Sequence, residues 1–215
     1  MTKNYGFQGR GGLNMLDWES FLKKESQKII ADFKDKKSKG EGDWRFIELS
    51  PDTIESEWLG YPGATEEQIV AAETRLGIIL PLSYRTFLKI TNGWPAVPGP
   101  NRLYSTEEIN WFCAENQDWI DEWTTALQFL PRITDKQYLV YGEDCFWNQP
   151  IRTEYMQTAL QISDEEDASV VLLNPQIIHN YEWEAWLLIN GRAGIFRCHS
   201  FQEMIQTMGM QSPWL

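Results

Sequence analysis

Between Asp17 and Phe33 the apolar residues Trp18, Phe21, Leu22, Ile29, Ile30 and Phe33 recur at helical spacing, with lysines among the positions between them. That period places them on one face of an amphipathic helix with a Lys-rich outer side. The stretch Lys34 to Gly42 is dense in Lys and Gly and reads as a linker. The chain therefore divides into residues 1–43, a Gly-rich start with a basic helix and linker, and a main domain over 44–215. Trp44 to Leu49 reads as a short strand or lead-in. Thr65 and Gln68 have capping-box spacing and open a helix with Ile69, Ala72 and Leu76 inward, stopped by Gly77. Pro81, as the first helical residue, opens a second helix with Tyr84, Phe87 and Leu88 inward, closed by Asn92 and Gly93. After the Pro- and Gly-rich turn Pro95 to Pro100, the spacing predicts a third helix from Thr106 to Trp123.

The period then shortens. Tyr138 to Tyr141, Thr158 to Ile162, Ser169 to Leu173, Trp183 to Ile189 and Ile195 to Cys198 are short apolar or β-branched runs broken by turn residues, the pattern of strands. The last two are placed to form a hairpin around Asn190, Gly191 and Gly194. Ser200 with Glu203 repeats the capping-box spacing and opens a closing helix with Phe201, Ile205 and Met208 on one face. Helices, then an antiparallel meander, then a last helix make an α+β plan.

Charge narrows the partners. The net charge is −12, and its distribution is uneven: residues 1–40 hold 9 basic and 5 acidic side chains (+4), leaving 10 basic and 26 acidic (−16) for the rest. A body this acidic argues against nucleic acid or an anionic membrane as principal partner. The same charge serves solubility, or steers a basic protein toward the domain. Cys113, Cys145 and Cys198 lack Cys-x-x-Cys spacing and read as reduced, buried thiols. His179 and His199 are too far apart in sequence for a helical metal pair, and no metal or cofactor is expected. The chain has no run of about 18 apolar residues and no apolar leader in Met1 to Met15, so the expected compartment is the cytoplasm.

Eleven tryptophans can fill a core, anchor an interface or stack on sugars, and position decides among these. On the Thr106 to Trp123 segment, Phe112, Trp119 and Trp123 fall on one helical stripe. Glu115, Asp118 and Glu122 fall on the next, with Trp111 beside them and Asp121 on the far flank. An acidic stripe rimmed by an exposed Trp suits a surface for Arg and Lys, and equally an ordinary solvated face. Asp164, Glu165, Glu166 and Asp167 form an acidic turn, and Glu143, Asp144 and Trp147 an acidic-aromatic loop. Neither has the alternating oxygens, Gly and distal Glu of a calcium loop. These twelve residues are the candidate partner-binding set. No catalytic residue is predicted: the nucleophile elbow, the zinc-protease motif and the phosphate-binding loop are missing from the sequence.

One segment resembles a known family. Glu73-x-x-Leu76-Gly77-x-x-Leu80-Pro81-x-x-Tyr84-x-x-Phe87-Leu88-x-x-x-Asn92-Gly93 is similar to the signature of the SUKH superfamily, which includes the yeast cell-wall-synthesis regulators and many bacterial immunity proteins. Leu172-Leu173-Asn174-Pro175, Trp183-Glu184-x-Trp186, Gly194 and Ser200-Phe201 resemble its closing strands and helix in order, so the likeness runs from about Trp58 to Met208. The resemblance implies an α+β domain with a predominantly antiparallel sheet and flanking helices, without known catalysis. It implies an immunity protein, monomeric when free, that occludes a cognate toxin domain. A basic toxin is the simplest charge complement. Two other readings stay open, a regulatory scaffold of the fungal kind and, from a different class, a carboxylate-based carbohydrate-active enzyme.

Overall fold

The structure, a computed structural model, describes residues 15–40, 49–95, 102–141, 149–165, 168–189 and 195–210. Among the described residues eight α-helices and five strands follow one another as α1 (Trp18–Lys39), α2 (Pro51–Ser56), α3 (Glu66–Leu76), α4 (Leu82–Ile90), β1 (Asn110–Trp111), α5 (Gln117–Leu127), α6 (Asp135–Tyr138), α7 (Thr153–Met156), β2 (Leu160–Gln161), β3 (Ser169–His179), β4 (Glu182–Ile189), β5 (Phe196–Cys198) and α8 (Phe201–Met208). The sheet is fully antiparallel and its spatial order is its sequence order, β1-β2-β3-β4-β5. The fold class is α+β.

Alternation along β3 and β4 splits the core in two, because successive side chains leave a strand on opposite faces. Val171, Leu173, Ala185 and Leu187 join the larger core with α1, α3, α4 and α8. Val170, Leu172, Trp186 and Leu188 join a smaller core with Phe112, Ile120, Trp123 and Met156. Both faces of β4 and of β3 up to Asn174 are roofed, so all eight residues of β4 are buried.

The expected α3 and α4 stand. Thr65 and Gln68 make a reciprocal capping box, and Gly77 closes α3 in the left-handed region at φ 69°, where its amide bonds back into the last turn. Buried Glu73 accepts from the Leu80 amide at 2.8 Å and pairs with Arg85, which locks the α3–α4 corner. Pro81 is the cap residue in extended geometry rather than the first helical residue, and brings no acceptor for the free amides. Glu182 supplies one from the sheet: its carboxylate accepts from Ser83 N at 2.9 Å and Ser83 Oγ at 2.6 Å.

Several elements differ from the sequence reading. Helix α1 runs through Lys34–Lys39, the stretch read as a linker, and stops at Gly40. Lys is a good helix former, and Asp32–Lys36 and Asp35–Lys39 pair at i,i+4. The proposed domain boundary at 43/44, the Trp44 segment and the Gly-rich start fall outside the described residues. Trp18, Leu22, Ile29 and Ile30 are buried in the larger core, and Trp18 stacks on Phe201 of α8 at 5.5 Å. Tyr138 to Tyr141 is not a strand: a Thr134–Gln137 capping box turns this segment into α6, with Tyr138 its last residue. Helix α4 ends at Ile90. Gly93 serves a close crossing, its φ being 98° with Leu103 O only 2.7 Å from where a Cβ would stand. At α8, Ser200 caps the Glu203 amide, but the Glu203 carboxylate reaches past the cap to His199 N and Nδ1. The β4–β5 pairing is present, while the turn residues between lie outside the described set.

Candidate functional site

The expected Thr106 to Trp123 helix is three pieces. Asn110 and Trp111 form the edge strand β1 on β2, Phe112–Ala114 is a 3-10 turn, and the α-helix proper begins at Gln117. The break lies where Phe112 N donates to Ala159 O at 2.9 Å, a sheet bond that a continuous helix would forbid. The inward stripe survives the break: Phe112 and Trp123 are buried in the smaller core, and Trp119 meets Phe112 edge-on at 6.0 Å. Trp111 is not on the helix beside Glu115. It is half-buried on the edge strand, with its ring against the larger core.

The carboxylates face outward. Glu115, Asp118, Asp121 and Glu122 are exposed. Helix α5, Gln117 to Leu127, contains Asp118, Asp121 and Glu122 and no Lys or Arg. Asp121 accepts from Gln117 Nε2 at 2.9 Å, and none of these four enters an ion pair among the described residues.

The 164–167 turn is brought to the same place. Asn116, at the start of α5, turns its side chain inward and donates to Gln161 at 2.9 Å; Gln161 donates onward to Ser163 O at 2.9 Å. This buried chain ties the end of β2 to the beginning of α5. Glu165 is consequently near Glu115 and Asp118: partial burial pushes its carboxyl up, the Asp118 and Glu115 charges add to that, and a bond from Asn116 opposes it. Asp164 has a different fate, since its Oδ1 accepts from Arg102 N at 2.7 Å and holds the turn in place. Arg102 also forks onto Glu108 at 3.0 and 2.9 Å, which with the Ser105 bonds lowers that carboxyl to about 2. Glu143, Asp144, Trp147, Glu166 and Asp167 lie outside the described residues.

A second polar assembly was not foreseen. Glu184 is fully buried and accepts from Tyr138 Oη (2.9 Å), Tyr141 Oη (2.5 Å), Asn174 Nδ2 (2.9 Å), Trp186 Nε1 (2.7 Å) and Arg197 Nη1 (2.8 Å). The fully buried Arg197 stands 3.8 Å over the Tyr138 ring and 4.9 Å over that of Tyr141. At its rim the two histidines do meet, their rings 4.7 Å apart with Tyr141 against both. Burial, then the neighbouring His199, lowers the His179 pKa. Among the described residues no group of three His, Cys, Asp or Glu side chains could hold a metal ion. Burial also pushes the Cys198 thiol up, away from nucleophilic use.

Sequence reasoning also missed exposed apolar side chains. Phe129 (87%) and Leu130 (62%) stand free just past α5, and Tyr181 (87%) and Ile178 (60%) at the β3–β4 tip. Carrying the Asp118–Glu122 stripe about two more turns along the helix would have reached Phe129.

An antiparallel meander roofed by helices on both faces, with an outer helix bearing exposed carboxylates, is an α+β domain with an acidic surface. The profile of the SMI1 / KNR4 family (SUKH-1) matches residues 63–207, and the chain belongs to that family. Helix α1, although integral to the core, precedes the matched segment. Comparison with curated proteins gave no match. No helix of the described residues is long and apolar enough to cross a membrane.

Proposed function

We propose that this chain is a non-catalytic immunity protein that acts in the cytoplasm as a monomer and neutralises a basic toxin domain by covering it. Family membership supports the class of the reading. The observation that carries the choice of surface is the outer side of α5 with its adjoining turn: Glu115, Asp118, Asp121, Glu122 and Glu165 are exposed together, without a cationic partner among the described residues. Trp111 is left out of this surface, because its ring packs on the larger core while α5 packs on the smaller one. The rest of the 164–167 turn and the Glu143, Asp144 and Trp147 loop belong to the same proposal.

Like charges held together cost electrostatic energy in the free protein, and a cationic partner relieves it. A body carrying −16 also raises the encounter rate with a basic domain, an effect that salt screens. Neutralisation then needs no chemistry on this chain. The test is co-expression with the toxin domain encoded by the neighbouring reading frame. Wild-type protein restores growth and co-purifies with the domain; a toxin that kills unabated and does not bind the purified protein overturns the proposal.

A further inference from the structure

Exposed ion pairs contribute only about 0–1 kcal/mol each, so an acidic surface alone steers a partner without holding it. Tight binding requires an apolar anchor that excludes water. Trp111 is largely spent on the larger core. The free apolar side chains nearest the carboxylates along the chain are Phe129 and Leu130.

Their position is fixed by the helix. Gln128, which follows Leu127, keeps helical geometry at φ −58° and ψ −26°, so the period of α5 continues to residue 129. At about 100° per residue, Asp118, Glu122, Thr125 and Phe129 then lie along one outward stripe, at steps of four, three and four. Leu130 turns off its end, its amide donating to Leu127 O at 3.0 Å. The inner side of the same helix holds Ile120 and Trp123 in the smaller core and Leu127 packed against it, so the stripe cannot roll inward.

We infer that this stripe docks a basic protein domain, with Phe129 filling an apolar socket and Asp118 and Glu122 meeting Lys or Arg on the socket's rim. The inference deepens the toxin reading above and rests on it. Charge complementarity names the occupant: the helix beside the apolar pair carries carboxylates and no basic residue. The apolar β3–β4 tip offers no such guide, because its flanking carboxylate, Glu182, is buried on Ser83.

The two parts of the stripe predict different kinetics. The test uses the full-length chain and a catalytically dead form of the toxin domain from the neighbouring reading frame, measured by surface plasmon resonance at low and high salt. Phe129→Ser, at an exposed site that leaves folding intact, speeds dissociation about 30-fold, the level of an interface hot spot, at either salt. Asp118→Lys with Glu122→Lys slows association about tenfold at low salt and has little effect at high salt. If wild type binds and Phe129→Ser dissociates at the wild-type rate, the anchor is refuted while the toxin reading stands. If wild type does not bind the domain, the toxin reading fails and the anchor with it.

Discussion

Replacing Arg197 by Met tests the most connected point of the fold. Arg197 and Glu184 are both fully buried, and their 2.8 Å contact is the only cationic contact that the Glu184 carboxylate has among the described residues. Methionine fills much of the arginine stem's volume, so the loss is chiefly electrostatic. The carboxylate would keep its bonds from Tyr138, Tyr141, Asn174 and Trp186 but lose its counter-ion in a site without water access. Breaking a buried pair from one side costs about 3–5 kcal/mol. In a chain of this size each kcal/mol lowers Tm by about 2–4 °C, so thermal unfolding should shift down by about 6–20 °C. Arg197→Lys should recover part of this, keeping the charge but losing the fork that also reaches Tyr138 O. Removing Glu184 as well should not restore stability, because the donors around it would be orphaned at about 1–3 kcal/mol each. Differential scanning calorimetry with near-ultraviolet circular dichroism reads all three. A fall of less than about 3 °C for Arg197→Met, with the native spectrum kept, would mean that the pair is not holding this layer together.

Other perturbations are equally specific. Trp18→Ala should cost about 3–5 kcal/mol in urea unfolding, because the ring is 2% exposed and stacked on Phe201; a cost under 1 kcal/mol would mean α1 is a removable appendage. Gly93→Ala, at φ 98° with a carbonyl oxygen 2.7 Å from the new Cβ, should destabilise by about 2 kcal/mol or more, whereas a neutral result would contradict the crossing. His179 has its folded pKa lowered from the ordinary 6.5, so the unfolded chain takes up its proton first. Stability from this group is full above pH 6.5 and falls as pH drops through that value toward the lowered folded pKa. His179→Gln should flatten the loss below pH 6.5, and an unchanged slope would remove His179 as its source.

What the sequence revealed follows from how local each signal is. The α3 box, its Gly77 stop and the inward faces of α3 and α4 depend on neighbours within four residues and were read correctly. The paired strands β3, β4 and β5 announced themselves by apolar runs. The Thr106 to Trp123 segment did not, because a helical stripe of aromatics was compatible with a break that only the Phe112–Ala159 bond, 47 residues apart, imposes. Lys34 to Lys39 misled for the opposite reason: composition signalled a linker, while i,i+4 pairing kept the helix going. The gathering of Glu165 with Glu115 and Asp118, and of Glu184 with Arg197, is tertiary and has no sequence period. The acidic residues of α5 were legible as a surface, but the exposed Phe129 lies beyond Trp123, where the predicted helix ended.

Hydrogen–deuterium exchange on the complex with the catalytically dead toxin domain reports where the partner sits on this chain without any substitution. New protection is expected in peptides spanning Glu115 to Leu130 and at Glu165, with the β3–β4 tip around Tyr181 unchanged. Protection at Ile178 and Tyr181 with none along α5 would contradict an interface on α5.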